Sequence, residues 1–179
     1  MTPEIASAGL HGMYRDVLRD ASGQILWDRG WCKNAIVTNC HLVLASFMRG
    51  SPGTTGITGL SVGAGLAAWD APPGTPDPSP SQSALVDPSP FLVPLASLKM
   101  DFLNGGVISA SPTGKLQIVA TLGPSVPTWP DANHATITLR EFGLVAQLAA
   151  LPVLLNYRTH PAIVKDPTST LERTIWLVF

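Results

Sequence analysis

Charge is what this sequence has least of. Of its 179 residues, 12 are Asp or Glu and 11 are Lys or Arg, 13 % in all, about half the ~25 % usual in soluble domains. The two signs nearly cancel, to a formal −1, and no stretch is strongly basic. Binding along a phosphate backbone needs clustered Lys and Arg to displace counterions, so no direct nucleic-acid partner is expected. Cysteine is almost missing. Cys32 and Cys40 make no disulfide framework, and their spacing is not the CxxC of redox or zinc sites. They read as buried free thiols, a single mutual bridge in an extracellular particle being the alternative. Long apolar runs are absent too. The longest, Leu148 to Leu155, is interrupted by Pro152 and falls far short of the ~20 residues of a membrane-spanning helix. At the N-terminus Glu4 stands where a signal peptide carries a base, and no apolar run follows. Synthesis in the cytoplasm as a soluble chain, with no membrane partner, is the expectation.

Catalytic and metal-binding signatures are also lacking. There is no GxSxG, no HExxH and no Cys–His signature. Gly63-Ala64-Gly65 is a GxG without the third glycine, the following helix or the lysine that phosphate cradles use; it reads as a hairpin turn. His11, His41, His134 and His160 have no i, i+4 pairing and read as surface or capping residues. Asp70, Asp77 and Asp87 lack the dense oxygen-ligand spacing of a calcium loop. Glu141, beside Arg140, reads as a strand-edge salt-bridge or backbone hydrogen-bonding residue, not a catalytic acid. No catalytic, cofactor-binding or metal-ligating residue is assigned, no cofactor is expected, and the protein is not expected to be an enzyme.

Hydrophobic residues make up 45 % of the chain, with 17 prolines and 16 glycines as punctuation. Met13–Leu18 and Gln24–Arg29 are short extended runs around Arg19-Asp20-Ala21-Ser22-Gly23, a hairpin loop that ends in glycine; Lys33–Val37 continues as strand. Thr38 or Asn39 offers an N-cap oxygen for a helix over Cys40–Arg49, stopped by Gly50, with Leu42, Ala45, Phe47 and Met48 on its apolar side. Further strands are expected at Gly59–Gly65, Phe91–Leu95, Lys99–Leu103, Val107–Ser111, Lys115–Leu122, Ala135–Val145, Val153–Arg158 and Thr170–Phe179. In the last, Leu171, Arg173, Ile175, Leu177 and Phe179 share one face. From Asp70 to Pro90 seven prolines exclude helix and central strand. The fold class is therefore mostly β: one domain over residues 1–179, an antiparallel β-sandwich or barrel-like body with one short helix and a long Pro-rich loop at 70–90. The polar centre of that loop has little to bury. It is expected to extend from the body and order against a neighbouring subunit, a mobile surface loop being the other reading.

Low charge makes much of the surface cheap to desolvate, which favours a homo-oligomer over a monomer. Of the tryptophans, Trp27 and Trp176 fall in strands while Trp69 and Trp129 flank Pro-rich loops. Structural packing is the expectation for them; a carbohydrate- or receptor-binding module, with rings stacked on sugar faces, is the alternative.

Several segments, taken in order, resemble a widespread family of tailed-bacteriophage virion proteins. They are the hairpin Leu18–Ile25, the run Lys33–Asn39 with its helix, Leu60–Gly65, and Ala84-Leu85 after the Pro-rich segment. Near the C-terminus come Leu139-Arg140-Glu141-Phe142-Gly143-Leu144, Asn156–Lys165 and the closing Thr170–Phe179. The resemblance covers both ends of the chain and is weak in the middle. The Arg140–Leu144 segment is also similar to one in the N-terminal anchoring domains of phage tail fibres. The resemblance implies a non-enzymatic virion component in the tail, baseplate or fibre-attachment region, with capsid decoration or a head fibre as the alternative. It implies partners among other copies of the chain and other virion proteins, and packing residues instead of a reactive site.

Overall fold

In a computed structural model, residues 9–179 are described; the signal-peptide reading of the extreme N-terminus lies largely outside them. The chain forms β1 (His11–Arg19), β2 (Ile25–Ile36), α1 (Thr38–Met48), β3 (Thr55–Gly63), β4 (Phe91–Pro94), β5 (Leu98–Asn104) and β6 (Val107–Ser109). These are followed by β7 (Lys115–Leu122), β8 (Thr138–Leu148), β9 (Leu151–Leu154), β10 (Asn156–Val164) and β11 (Thr170–Val178). The protein is mostly β and antiparallel, as its alternation and punctuation predict.

All strands belong to one hydrogen-bonded sheet in the order β4-β3-β8-β10-β2-β1-β11-β7-β5-β6, with β9 beside β8. The shortest pairing falls in the middle of that order. β10 and β2 share only Asn156↔Ile36 and Tyr157↔Ala35, whereas β1 and β11 pair continuously from His11↔Val178 to Arg19↔Thr170. The core lies between the two layers. Ile118, Leu122, Leu171 and Ile175 from one side meet Leu60, Val62, Leu139 and Leu144 from the other. Each such buried side chain contributes about 1.5–3 kcal/mol. Tyr14 of β1 packs edge-on against Phe142 of β8, ring centroids 5.0 Å apart, which fixes the stacking of the layers.

The β1–β2 turn is closed by Asp20, whose Oδ1 accepts from the backbone N–H of Ser22 and of Gln24; Gly23 takes the φ of +85° that the turn requires. β10 runs past Arg158 through Pro161, because a register shift between Thr159 and Ile163 takes the proline out of the ladder. β8 begins at Thr138, three residues later than expected.

The helix corrects two expectations. It starts at Thr38, and no side chain caps it. Instead the Thr38 N–H donates to the Pro80 carbonyl at 2.8 Å, so a distant loop satisfies one orphan donor. The helix buries Cys40 and Val43, while Leu42, Phe47 and Met48 of the expected apolar side are exposed.

Candidate functional site

The Pro-rich segment does not stand away from the body; that expectation is corrected by four anchors. Besides the Pro80 bond, the Thr159 hydroxyl donates to the Pro76 carbonyl at 2.6 Å. At the far end, Glu141 of β8 is fully buried and accepts from the backbone N–H groups of Val86 and Asp87 at 2.9 and 2.7 Å. The Tyr157 hydroxyl donates to the same carboxylate at 2.5 Å. Burial, then that hydrogen bond, raises the Tyr157 pKa. Asp87 continues the chain of contacts. Its Oδ2 accepts from the Ala64 N–H at 2.7 Å and lies 2.9 Å from His134 Nε2. His134 Nδ1 is 2.8 Å from Asp131 Oδ1, and the ring stacks on Trp129 with centroids 3.8 Å apart. His134 is thus buried, against the surface reading.

The GxG run has a local reason. A Cβ at Gly63 would meet Glu141 Oε1 at 2.7 Å, and one at Gly65 would meet the Trp69 ring at 2.4 Å. The two glycines let a carboxylate and an indole approach the backbone; the run leaves β3 for the loop and is not a hairpin turn. Arg140 closes the same corner, donating to both Asp70 oxygens at 2.9 and 2.6 Å and to the Ala64 carbonyl at 2.9 Å. Its hydrogen bonds hold the Asp70 carboxyl below its ordinary pKa.

A second polar group lies in the core itself. Arg173 of β11 donates to both oxygens of Asp16 on β1, each at 2.7 Å, and all these atoms belong to fully buried residues. The guanidinium carbon sits 3.9 Å from the Phe142 ring centroid, and Nη2 lies 3.0 Å from His160 Nε2. Burial alone would raise the Asp16 pKa; the Arg173 charge and hydrogen bonds outweigh it and bring the carboxyl below its ordinary value. Burial, followed by the Arg173 charge, pushes the His160 pKa down to about 3. His160 is therefore neutral at pH 7. With Nδ1 3.0 Å from the Pro161 carbonyl, Nδ1–H donates to that oxygen and Nε2 accepts from Arg173. The surface reading of His160 is corrected as well.

One concave surface is apolar. A cleft of about 440 Å³ opens between α1 and the far layer. One wall is Val43, Leu44 and Phe47 of α1 with Ile57 of β3; the other is Met100 and Phe102 of β5, Leu116 of β7 and Leu177 of β11. No charged side chain lines it. The Cys40 thiol is at its margin, and burial lifts its pKa to about 11, so it stays a thiol. Cys32 and Cys40 are both free. Single-sequence reasoning missed this cleft because its lining comes from six separated segments.

Two of the tryptophans pack on each other. Trp31 and Trp176 lie against each other, tilted, with centroids 3.8 Å apart, and the Lys115 ammonium stands 3.4 Å from the Trp176 ring centroid. A more open hollow of about 460 Å³ is bordered by Trp69, Asp70, Gly74, Thr75 and Pro161. Among the described residues, no group of three or more His, Cys, Asp or Glu side chains is placed to hold a metal ion, and no helix is long and apolar enough to cross a membrane. No family model, no curated protein and no solved structure matches this chain.

Proposed function

We propose that this chain is a non-enzymatic structural component of a tailed-phage virion, in the tail, baseplate or fibre-attachment region, packing against copies of itself and other virion proteins. The observation that carries the reading is the order of the resembling segments, together with one of them, Leu139–Leu144, in which every residue is engaged in holding the fold. Leu139, Phe142 and Leu144 are buried in the core. Arg140 grips Asp70, and Glu141 grips the backbone of residues 86 and 87. A Cβ at Gly143 would meet the Asn156 carbonyl oxygen at 2.6 Å. A segment whose polar groups all serve architecture fits a part whose role is shape. Capsid decoration or a head fibre is the alternative position. Electron cryomicroscopy of particles with and without the gene distinguishes these positions. Density lost from the tail end is expected, density lost from the capsid lattice moves the assignment to decoration, and identical particles remove the proposal.

A carbohydrate- or receptor-binding module is the second reading, favoured by one observation: the hollow beside Trp69 combines an indole, the Asp70 carboxylate and the Thr75 residue, the mixture of apolar face and polar groups that sugars use. A glycan array with no binding above background, and tryptophan fluorescence unmoved by host surface polysaccharide, would end it.

A further inference from the structure

We infer that His134 is a proton-operated latch. With a proton on each ring nitrogen it ties the Pro-rich segment to the loop at residues 123–133; when it loses one, the two part. The contacts around the ring dictate where the protons sit. Nδ1 lies 2.8 Å from Asp131 Oδ1 and Nε2 lies 2.9 Å from Asp87 Oδ2, so each ring nitrogen faces a carboxylate oxygen. A neutral imidazole has one N–H and one lone pair. Its lone pair would then meet, at hydrogen-bond distance, an oxygen that offers lone pairs alone.

Both carboxylates are already engaged as acceptors. Asp87 accepts from the Ala64 N–H on Oδ2 and from the Ser89 N–H on Oδ1. Asp131 Oδ1 accepts from the backbone N–H groups of Asn133 and His134. Such bonds favour the ionised carboxyl. The charges agree. The Asp87 side chain is 3 % exposed, and among the described residues neither it nor Asp131 has an ion-pair partner other than His134. A buried carboxylate without a counter-charge is costly; an imidazolium supplies one. Trp129 adds a third contact, its indole stacked on the ring at 3.8 Å and 19°, an arrangement that favours a cation. Behind Asp87 stands Glu141 of β8, which accepts from the Asp87 N–H. Arg140, beside Glu141, is engaged by Asp70 and the Ala64 carbonyl.

The two contacts of the ring hold different things. Asp131 belongs to the same loop, and two backbone bonds to the same oxygen reinforce that contact. Asp87 lies 47 residues away in the Pro-rich segment and also holds Ala64, just past β3. A ring left with one N–H keeps the local acceptor, so the Asp87 link is the one that opens. Glu141 still holds the backbone of residues 86 and 87, which confines the opening to the latch.

The inference concerns the chain alone and does not rest on the virion placement. Nuclear magnetic resonance of the whole chain from pH 6 to pH 9 tests it, with the His134 ring nitrogens and the backbone amides observed in the same samples. At pH 6 both ring nitrogens should carry a proton. As the ring loses one with rising pH, Nε2 should be the nitrogen that is bared. The Ala64 and Ser89 amides should then exchange about tenfold faster, after correction for intrinsic rates, while Ile118 in β7 stays protected. His134→Gln, which has no proton to lose, should show no such pH dependence. If that variant fails to fold, Asp87→Asn replaces it: without the carboxylate the His134 ring should lose its proton about one pH unit lower or more. A ring with a single proton at pH 6, a ring that keeps both protons throughout, or Nδ1 bared in place of Nε2 would each overturn the latch. So would amides at 64 and 89 whose protection does not follow the ring, a His134→Gln chain with the parent's pH dependence, or an Asp87→Asn ring that titrates as in the parent.

Discussion

Arg173 is the largest fully buried side chain of the described residues, and its charge is matched by Asp16 alone. Removing one partner of a buried pair strands the other, a loss of about 3–5 kcal/mol, whereas replacing both with apolar groups is often neutral or favourable. Asp16→Asn should therefore lower the unfolding free energy measured by urea titration by that order, and Asp16→Leu/Arg173→Met should recover most of it. A double variant as weak as the single would show that Arg173 contributes something besides its pairing. His160 makes a second residue-level prediction. Its folded pKa of about 3 lies below the ordinary 6.5, so between those values the unfolded chain binds more protons than the folded one. Stability is then fully present above pH 6.5 and falls as the pH drops toward 3, by at most about 1.4 kcal/mol per pH unit. Asp16, also lowered, adds its own loss below its unfolded pKa of about 4. Urea titrations from pH 7 to pH 4 should show this slope in the parent and a flatter one in His160→Gln. Equal slopes would mean that His160 is not held neutral by its burial.

At the level of elements, the Pro-rich segment and α1 depend on each other through one backbone bond. The Pro80 carbonyl takes the place of the side-chain cap that Thr38 or Asn39 was expected to supply. Deleting Pro73–Ser83 removes that acceptor and the Pro76 carbonyl held by Thr159, but no strand. The variant should keep its β spectrum while amide exchange rises over the first turn of α1, with a loss of about 0.5–2 kcal/mol as for a missing cap. Unchanged exchange at residues 38–42 would refute the coupling. These same elements show where the sequence is and is not readable. Lys115–Leu122 has the bounds its alternation predicts, and Leu171, Arg173, Ile175 and Leu177 share the inward face, because period-2 patterning is local information. The run of β10 through Pro161 was hidden, since proline argues against strand unless a register shift removes it from the ladder. The anchoring of the loop was hidden for another reason. Its acceptor, Glu141, lies 54 residues beyond Asp87, and no local pattern pairs them.

For the whole molecule, one antiparallel sheet folded upon itself explains both the low charge and the candidate surfaces. His134 and His160, which a sequence reader places at the surface, are buried and occupied with the fold, and Glu141 is a buried acceptor of backbone hydrogen bonds, as its position suggested. Apolar residues expected inside, such as Phe47 and Met48 at 61 % and 87 % exposure, remain on the surface. Such an exterior is suited to being covered by other chains. The central claim, that this chain is a virion part, is tested most directly by quantitative mass spectrometry of purified tailed-phage particles from a genome that encodes it. Several copies per intact particle, in constant ratio to the known tail proteins, are expected. A chain abundant in the infected lysate yet absent from intact particles would contradict the account.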